Sequence, residues 1–233
     1  MDMSTTLPSI EEITQLHHRL APSQAAFDVV HRHCEIVARL AQDIARGNTT
    51  RVPDDPVSSE SSVSFAPLVR KGDVDEELLR VGALLHDIGT YRVFDESSDG
   101  SVPGSIPRFD SKRYILHGLI GYRILLDEGY GEEVAAFSRN HTGVGITRQE
   151  VVEQHLPLPP AEYLPTTVEQ EIVMYADKFN SKSHPPACIS VERQTRRAAR
   201  FGEGNLLRWH ALVARYGVPD IEAVALEYHM PIK

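Results

Sequence analysis

His86 and Asp87 directly follow an apolar run that covers residues 81–85. A buried imidazole and a buried ionised carboxylate are costly without partners, and a metal ion is one partner that satisfies both groups. The alternative is a histidine at a helix end beside an aspartate that caps the next turn. The dipeptide alone leaves both interpretations open.

Four more residues of these two types stand in apolar or helix-flanking segments. His33 lies on the apolar face of a predicted helix, and His117 opens the segment HGLIGYRILL. His141 lies in RNHTGVG, and Asp177 ends EIVMYAD. Taken singly, each would more often be a satisfied core histidine or a helix-face aspartate. Together with the dipeptide they form an ordered set that we predict to bind metal: His33, His86, Asp87, His117, His141 and Asp177.

Imidazole nitrogens and carboxylate oxygens suit divalent transition metals, with iron as the first expectation and Mn, Co, Ni or Zn as alternatives. Six ligands are too many for one catalytic ion that must leave room for water. Two ions that share Asp87 would resolve this surplus. The sequence therefore predicts one or two divalent ions.

His31 competes with His33 for the first position of this set. Two residues turn a helix by roughly 200°, so the two side chains cannot share a face. His31 groups with Asp28, Glu35 and Gln42 on a polar face, which favours His33 as the ligand. The other histidines are taken as surface or ordinary partly buried residues: His17, His18, His155, His184, His210 and His229.

These residues are predicted to lie in helices or directly beside them. Apolar residues return at intervals of three and four in most segments without Pro and Gly, which indicates an all-α helical bundle with little or no sheet. Ser9 and Glu12 form a candidate capping box for the first helix. Helices are predicted over residues 10–20, 24–46, from 74 to a stop at Gly89, 117–128, 132–140, 147–154 and 167–183, with two or three surface-packed helices between 191 and 228.

Two long segments interrupt this pattern. Residues 47–72 are rich in Ser, Pro and Asp and are predicted to be a surface loop insertion. Residues 95–113 separate two candidate ligands and are the candidate lid. We expect a single domain over residues 1–233, with a core at about 24–184 and a C-terminal helical extension at 188–233.

Composition limits the partners. The formal net charge of −9 and a pI near 5.6 argue against bulk binding of nucleic acid or anionic membrane, although a local basic pocket for a small phosphorylated substrate remains compatible. Two cysteines, Cys34 and Cys188, fit a reducing compartment. No segment approaches the ~18 apolar residues that span a bilayer. We therefore expect a cytoplasmic protein, for which a homodimer is compatible.

The ordered set resembles the HD superfamily, and specifically its HDIG-type members with six ligands. HCEIVARLA, GALLHDIG, HGLIGYRILLDEG, NHTGVGIT and YADKFNS match local patterns of that family, and the resemblance covers about residues 24–184. It implies an HD-domain helical bundle with long loop insertions. It also implies that His33, His86, Asp87 and Asp177 bind a first metal, and that His117, His141 and the bridging Asp87 bind a second.

The resemblance implies a metal-dependent phosphohydrolase. Similar small HD proteins hydrolyse nucleotides, including diadenosine tetraphosphate, so a phosphate ester or anhydride is the expected substrate. We expect Asp87 to bridge the ions and hold the attacking hydroxide. Many family members carry Lys where Thr90 stands, and that Lys can contact substrate phosphate. Arg92 and Lys178 are expected first to replace this charge, followed by Arg108, Lys112, Arg113, Arg139 and Lys182.

Two alternatives stay open at this stage. A six-ligand set of His and Asp can hold two irons that cleave carbon bonds with dioxygen in proteins of this fold. A catalytically weak signalling module with a structural metal site is the other alternative, and Thr90 in place of Lys favours it.

Overall fold

The computed structural model describes residues 7–51, 74–102 and 104–233. In these ranges the chain folds into ten α-helices and four two-residue strands, as an all-α prediction requires. The helices are α1 (Ile10–Leu20), α2 (Gln24–Ala45), α3 (Glu76–Leu85), α4 (His117–Asp127), α5 (Glu132–Asn140), α6 (Arg148–Glu153), α7 (Val168–Asp177), α8 (Val191–Ala199), α9 (Glu203–Tyr216) and α10 (Ile221–Glu227). The strands are β1 (Thr49–Thr50), β2 (Asn180–Ser181), β3 (Ala187–Cys188) and β4 (Val218–Pro219), and 3₁₀ turns cover Ile88–Arg92 and Tyr114–Leu116.

The helix starts follow from side-chain caps. At α1 the predicted capping box is confirmed, because the Ser9 side chain accepts from the amide of Glu12 and the Glu12 carboxylate accepts from the amide of Ser9. At α3 the Asp75 side chain accepts from the amides of Glu77 and Leu78. This cap makes the helix begin at Glu76 rather than at residue 74.

The core lies where α2 packs against α3 and α7, and where α5 covers both α3 and α7. Leu79, Leu85 and Val173 are fully buried there. A Cβ added at Gly82 would lie 2.3 Å from the ring of Phe137, so α3 and α5 approach too closely for a larger residue at this position. The helices that end at the candidate ligands are therefore held against one another at short range.

The prediction that α7 continues to residue 183 is wrong. The helix ends at Asp177, and β2 then pairs with β3 in an antiparallel register that places Asn180 opposite Cys188. Just outside this pair, the amide of Ile189 donates to the carbonyl of Phe179 at 2.9 Å. Backbone groups that a longer helix would satisfy internally are thus satisfied by a later segment.

The C-terminal extension was expected to pack at the surface, and part of it does not. Trp209 of α9 is fully buried, with its ring centroid 5.4 Å from that of Tyr175 and 5.8 Å from that of Phe179. β4 also pairs with β1, which joins residues 49–50 to the end of α9. The extension therefore belongs to the same core as α7.

The two predicted loop segments have different outcomes. Of residues 47–72, only the first five lie within the described residues. The segment 95–113 folds back on itself, since the amide of Asp95 donates to the carbonyl of Arg108 at 2.8 Å. Ser23 at the start of α2 donates to the carbonyl of Asp99 at 2.8 Å, which docks this segment on the bundle. Its function as a lid, like the single domain over residues 1–233, stays a prediction.

Within the described ranges, no helix combines the length and the hydropathy that crossing a bilayer requires.

Candidate metal centre

Five helices bring the six predicted residues to one place. His33 lies in the middle of α2, Asp177 is the last residue of α7, and His117 is the first residue of α4. His86 and Asp87 follow α3, and His141 follows α5. Their ligand atoms form two groups, each with all atoms within 4.8 Å of one another, and Asp87 belongs to both. The groups are His33, His86, Asp87 and Asp177, and Asp87, His117 and His141.

Asp87 presents one carboxylate oxygen to each group. Its Oδ2 lies 3.2 Å from Nε2 of His33 and 3.6 Å from Nε2 of His86. Its Oδ1 lies 3.5 Å from Nε2 of His117 and 3.6 Å from Nε2 of His141. A carboxylate placed in this way can bridge two ions.

Asp177 closes the first group from the opposite side. Its Oδ1 lies 3.0 Å from Nε2 of His33 and 3.6 Å from Nε2 of His86. The first group thus presents two imidazole nitrogens and two carboxylates around one point. This is a nitrogen and oxygen ligand set that Fe, Mn, Co, Ni and Zn all accept.

The four imidazoles are oriented by their outer nitrogens. Nδ1 of His33 is 2.7 Å from Oδ1 of Asn180, and the other three Nδ1 atoms donate to carbonyl oxygens one turn earlier. Those pairs are His86 with Ala83 at 2.7 Å, His117 with Tyr114 at 2.5 Å and His141 with Ser138 at 2.7 Å. Because a carbonyl oxygen only accepts, these Nδ1 atoms carry the proton and leave Nε2 with a free lone pair.

The Nε2 atoms of the four imidazoles and Oδ1 of Asp87 receive no hydrogen from a donor in the described part of the chain that would satisfy their lone pairs. Nε2 of His33, Nε2 of His86 and Oδ1 of Asp87 are buried and accept no hydrogen bond from any described residue. Nε2 of His117 and Nε2 of His141 face each other at 2.9 Å, although neither carries a hydrogen when Nδ1 does. A divalent cation in each group would satisfy all of these lone pairs, so the residues present fit a metal.

Burial and neighbouring cations determine the charge of the two carboxylates. Burial acts to raise the pKa of Asp87, but Lys182 and His86 outweigh it and hold that pKa well below its ordinary range. Burial opposes ionisation of Asp177 as well, and Lys178 and His33 overcome it, so the pKa of Asp177 is also well below its ordinary range. Both side chains are therefore anionic ligands at neutral pH.

Burial also keeps His117 neutral. Loss of hydration, reinforced by the neighbouring His141, lowers the pKa of His117 to about 3. A neutral imidazole is the form that binds metal.

Two lysines lie at the centre. Lys178, a predicted site residue, donates to Oδ2 of Asp177 at 2.7 Å. Lys182 donates to Oδ2 of Asp87, and burial leaves its ammonium almost inaccessible. Arg92 and Lys178 are the first cations expected from the sequence, ahead of Lys182. The extended segment after α7 directs Lys182 at Asp87.

The structure does not bring Arg92 to this centre. Its exposed guanidinium donates to the carbonyl of Leu20 at 2.9 Å, which directs it at the end of α1. Thr90, where many relatives were expected to carry Lys, is fully buried and donates from Oγ1 to the carbonyl of Asp87 at 2.7 Å. Thr90 thus stabilises the turn that presents Asp87.

Two other histidines behave differently from each other. His17, predicted to be at the surface or partly buried, is fully buried and bonded to the hydroxyl of Tyr91 at 2.8 Å and the carbonyl of Leu84 at 2.9 Å. His31 lies 3.7 Å from the carboxylate of Glu35 on α2 and belongs to neither metal group, as helical phase indicated.

A cavity of about 570 Å³ opens onto the centre. His117, His141 and Asp177 line it together with both lysines, and its volume falls in the range of roughly 300–1,000 Å³ that small-molecule sites occupy. The other predicted cations, Arg108, Lys112, Arg113 and Arg139, do not line it. The arrangement can therefore place a small anionic molecule against two metal positions.

Part of this sequence is shared with other proteins. The chain is 40% identical over 107 residues to an uncharacterized protein of Methanocaldococcus jannaschii, a match covering 46% of this chain and 51% of that protein. It is 34% identical over 112 residues to a tRNA (cytidine(56)-2'-O)-methyltransferase of Thermoplasma volcanium, covering 48% of this chain and 27% of that protein. The chain thus spans about half of the first relative and about a quarter of the second.

Among solved structures, the HD domain of the L. monocytogenes phosphodiesterase PgpH aligns with a TM-score of 0.48 and 16% identity, covering 93% of this chain and 99% of that domain. The same domain in complex with cyclic-di-AMP aligns with a TM-score of 0.47 and 16% identity over 95% and 99%.

The family pattern described as the HD domain matches residues 30–181, which is more than half of the chain. The matched range contains all six residues of the candidate metal centre. This chain therefore belongs to the HD-domain family.

Proposed function

We propose that this protein is a metal-dependent phosphohydrolase that cleaves a phosphate ester or anhydride of a small phosphorylated molecule, with nucleotides as the first substrates to test. The observation that carries the proposal is the position of the Asp87 carboxylate. One oxygen faces each of two buried groups of ligand atoms, and both groups border the same cavity.

In this proposal His33, His86, Asp87 and Asp177 hold a first ion, and Asp87 with His117 and His141 holds a second. Iron is the first metal to test, with Mn, Co, Ni or Zn as alternatives. When bound, such ions lower the pKa of a coordinated water and neutralise charge on a phosphoryl group. That chemistry suits hydrolysis of an ester or an anhydride.

In this proposal the protein's own residues orient the metal ligands and neutralise charge on the substrate. The Nδ1 hydrogen bonds hold the four imidazole rings with Nε2 directed inward, so that little reorganisation accompanies the reaction. Lys178 and Lys182 line the cavity beside the carboxylates, where their ammonium groups would stabilise phosphate oxygens. We retain Lys178 as a proposed site residue and place Lys182 beside it in the role first assigned to Arg92.

The methyltransferase activity named for one relative is not part of this proposal, because the match covers only 27% of that protein. Membership of the HD-domain family and the ligand set support hydrolysis instead. Localisation in the cytoplasm and assembly as a homodimer stay predictions.

The test begins with metal analysis of protein purified without oxygen, followed by phosphate-release assays after loading with Fe²⁺, Mn²⁺ or Co²⁺. The panel contains nucleotides, dinucleoside polyphosphates and phosphomonoesters. Asp87→Asn should lower turnover by more than the roughly 10- to 100-fold that loss of an outer-shell partner costs. Asp127→Asn changes an exposed aspartate at the end of α4 and should leave turnover unchanged.

Metal-loaded protein that released phosphate from no member of the panel would contradict the proposal. Uptake of dioxygen by the iron-loaded protein in response to a substrate, without phosphate release, would replace it with the di-iron oxygenase alternative. Retained metal with neither activity would favour the signalling module.

A further inference from the structure

The outer wall of the cavity comes from the C-terminal extension. Gln194, Arg197 and Ala198 of α8 line it, followed by Phe201 and by Asn205 of α9. All of these residues lie after the range 30–181 that the HD-domain family shares. This wall is therefore a feature of this chain rather than of the family pattern.

Hydrogen bonds from α9 hold the wall in place. Nε1 of Trp209 donates to Oγ1 of Thr195 on α8 at 2.8 Å. The guanidinium of Arg208 donates to the carbonyl of Gly145 at 3.3 Å and forms an ion pair with Glu150. Gly145 and Glu150 also line the cavity, so α8, α9 and the segment after His141 form one connected rim.

The charged lysine, arginine, aspartate and glutamate side chains that line the cavity are paired, with one exception. Glu150 is paired with Arg208, Asp177 with Lys178, and Lys182 with Asp87. Arg197 lines the cavity from α8 and has no carboxylate partner among the described residues. Lys178 lines the same cavity. An anionic group beside Arg197 would compensate its charge, whereas Lys178 already has Asp177 as a partner.

A second polar group of α8 reaches the same cavity. Gln194 precedes Arg197 by one helical turn, its side chain is 5% exposed, and its Oε1 has no hydrogen-bond partner among the described residues. A hydroxyl on a bound molecule would satisfy this oxygen. The wall thus offers a guanidinium and a neutral acceptor side by side.

We propose that Arg197 binds a second phosphate of the substrate, and that the preferred substrates therefore carry a chain of two or more phosphates on a hydroxyl-bearing group, as nucleoside diphosphates and triphosphates do. The planar guanidinium suits phosphate because it can donate two parallel hydrogen bonds. A phosphate at the metal centre and a second phosphate at Arg197 would then lie in the same cavity. The identity of the reaction rests on the proposed function, whereas the binding of a phosphate chain does not.

The test is equilibrium binding of inorganic tripolyphosphate, measured by calorimetry on chelator-treated and on Mn²⁺-loaded protein. Arg197→Gln should weaken binding at least tenfold in both forms, and Arg197→Lys should restore part of the loss. Arg196→Gln is the matched control, because it removes the same charge from an exposed position of the same helix that does not line the cavity. Its affinity should stay within twofold of that of the parent protein.

Turnover supplies the second measurement. Arg197→Gln should raise KM for a nucleoside triphosphate at least tenfold while changing KM for the corresponding monophosphate less than twofold. Equal affinity of Arg197→Gln and Arg196→Gln for tripolyphosphate would overturn the proposal, as would an equal change of KM for both nucleotides. If the loaded protein hydrolyses nothing, the proposed function fails, and the calorimetric comparison still decides whether Arg197 binds a phosphate chain.

Discussion

At the scale of single residues, the candidate centre depends on hydrogen bonds that lie outside the ligand atoms. Each of the four imidazoles has its outer nitrogen bonded to an oxygen of the protein, and three of those oxygens are carbonyls of the same helical turn. His33 differs because its partner is the side chain of Asn180, far along the sequence. Its orientation therefore depends on the strand that follows α7.

Asn180→Ala should weaken metal binding at the first group. The change removes the acceptor of the His33 Nδ1 hydrogen at 2.7 Å, and loss of such a partner typically costs 10- to 100-fold in metal affinity. Competition with a chromophoric chelator measures this affinity. Asn48→Ala, at an exposed position outside the centre, is the control, and equal affinities of the two variants would contradict this role of Asn180.

His17 makes stability dependent on pH. Burial lowers its pKa from 6.5 to about 3, so the folded state keeps it neutral where the unfolded chain takes up a proton. The contribution of neutral His17 to the free energy of unfolding is present above about pH 6.5. It is lost as the pH falls towards 3, by up to roughly 1.4 kcal/mol per pH unit.

Urea unfolding of the metal-free protein at pH 7, 6 and 5 measures this dependence. His17→Gln should lower the free energy of unfolding at pH 7, because Tyr91 and Leu84 lose their partner, and should flatten its decline with pH. His18→Gln changes an exposed neighbour and should keep the parent slope. If the free energy of unfolding of His17→Gln declined with pH as steeply as that of the parent protein, His17 would be excluded as the source of the pH dependence.

At the scale of elements, one close crossing determines how far Asp87 stands from the histidines of the second group. The 3₁₀ turn Ile88–Arg92 packs against α4. A glycine lies at the contact on each side, Gly89 in the turn and Gly121 in α4. A Cβ at Gly89 would lie 2.0 Å from the carbonyl oxygen of His117 and 2.4 Å from the amide nitrogen of Gly121. These atoms are backbone, so only a shift of α4 would accommodate a side chain.

Gly89→Ala should therefore destabilise the protein by about 1–3 kcal/mol, as overpacking of a core does, and weaken the second metal position more than the first. Denaturant midpoints and metal titrations measure the two effects. Gly204→Ala is the matched control, since its Cβ would meet no atom closer than 3.7 Å. A Gly89→Ala protein with normal stability and two equal metal affinities would show that the crossing does not set this distance.

At the scale of the whole molecule, the C-terminal extension completes both the core and the cavity. Trp209 packs on Tyr175 and Phe179, close to the end of α7 that carries Asp177. The same helix holds α8 through Thr195, and α8 carries Arg197 at the cavity. The stability of the core and the position of the cavity wall are thus linked through one buried tryptophan.

Trp209→Ala should cost about 3–5 kcal/mol of unfolding free energy, the usual loss for a large aromatic residue removed from a core. Phe201→Ala in the same extension should change it by about 0.5 kcal/mol or less, because that ring is 53% exposed. Chemical denaturation of both variants tests the comparison. Similar losses for the two would mean that the extension is not part of the main core.

Elements whose causes are local could be predicted from the sequence. Helical periodicity and caps placed α1, α2 and α5 almost to the residue, and the phase of α2 separated His33 from His31. The six members of the candidate centre were named from residue type, apolar context and family resemblance. Such signals lie within a few residues of the feature they predict, so sequence reasoning reaches them.

Features that depend on distant partners could not be predicted in this way and are seen in the folded chain. Pairing of β2 with β3 ended α7 at Asp177 and directed Lys182 at Asp87. Arg92 donates a hydrogen bond to the end of α1. Burial of Trp209 brought α8 and Arg197 to the cavity. In each case a side chain or backbone group is satisfied by a residue far away in sequence, and no local pattern records that partner.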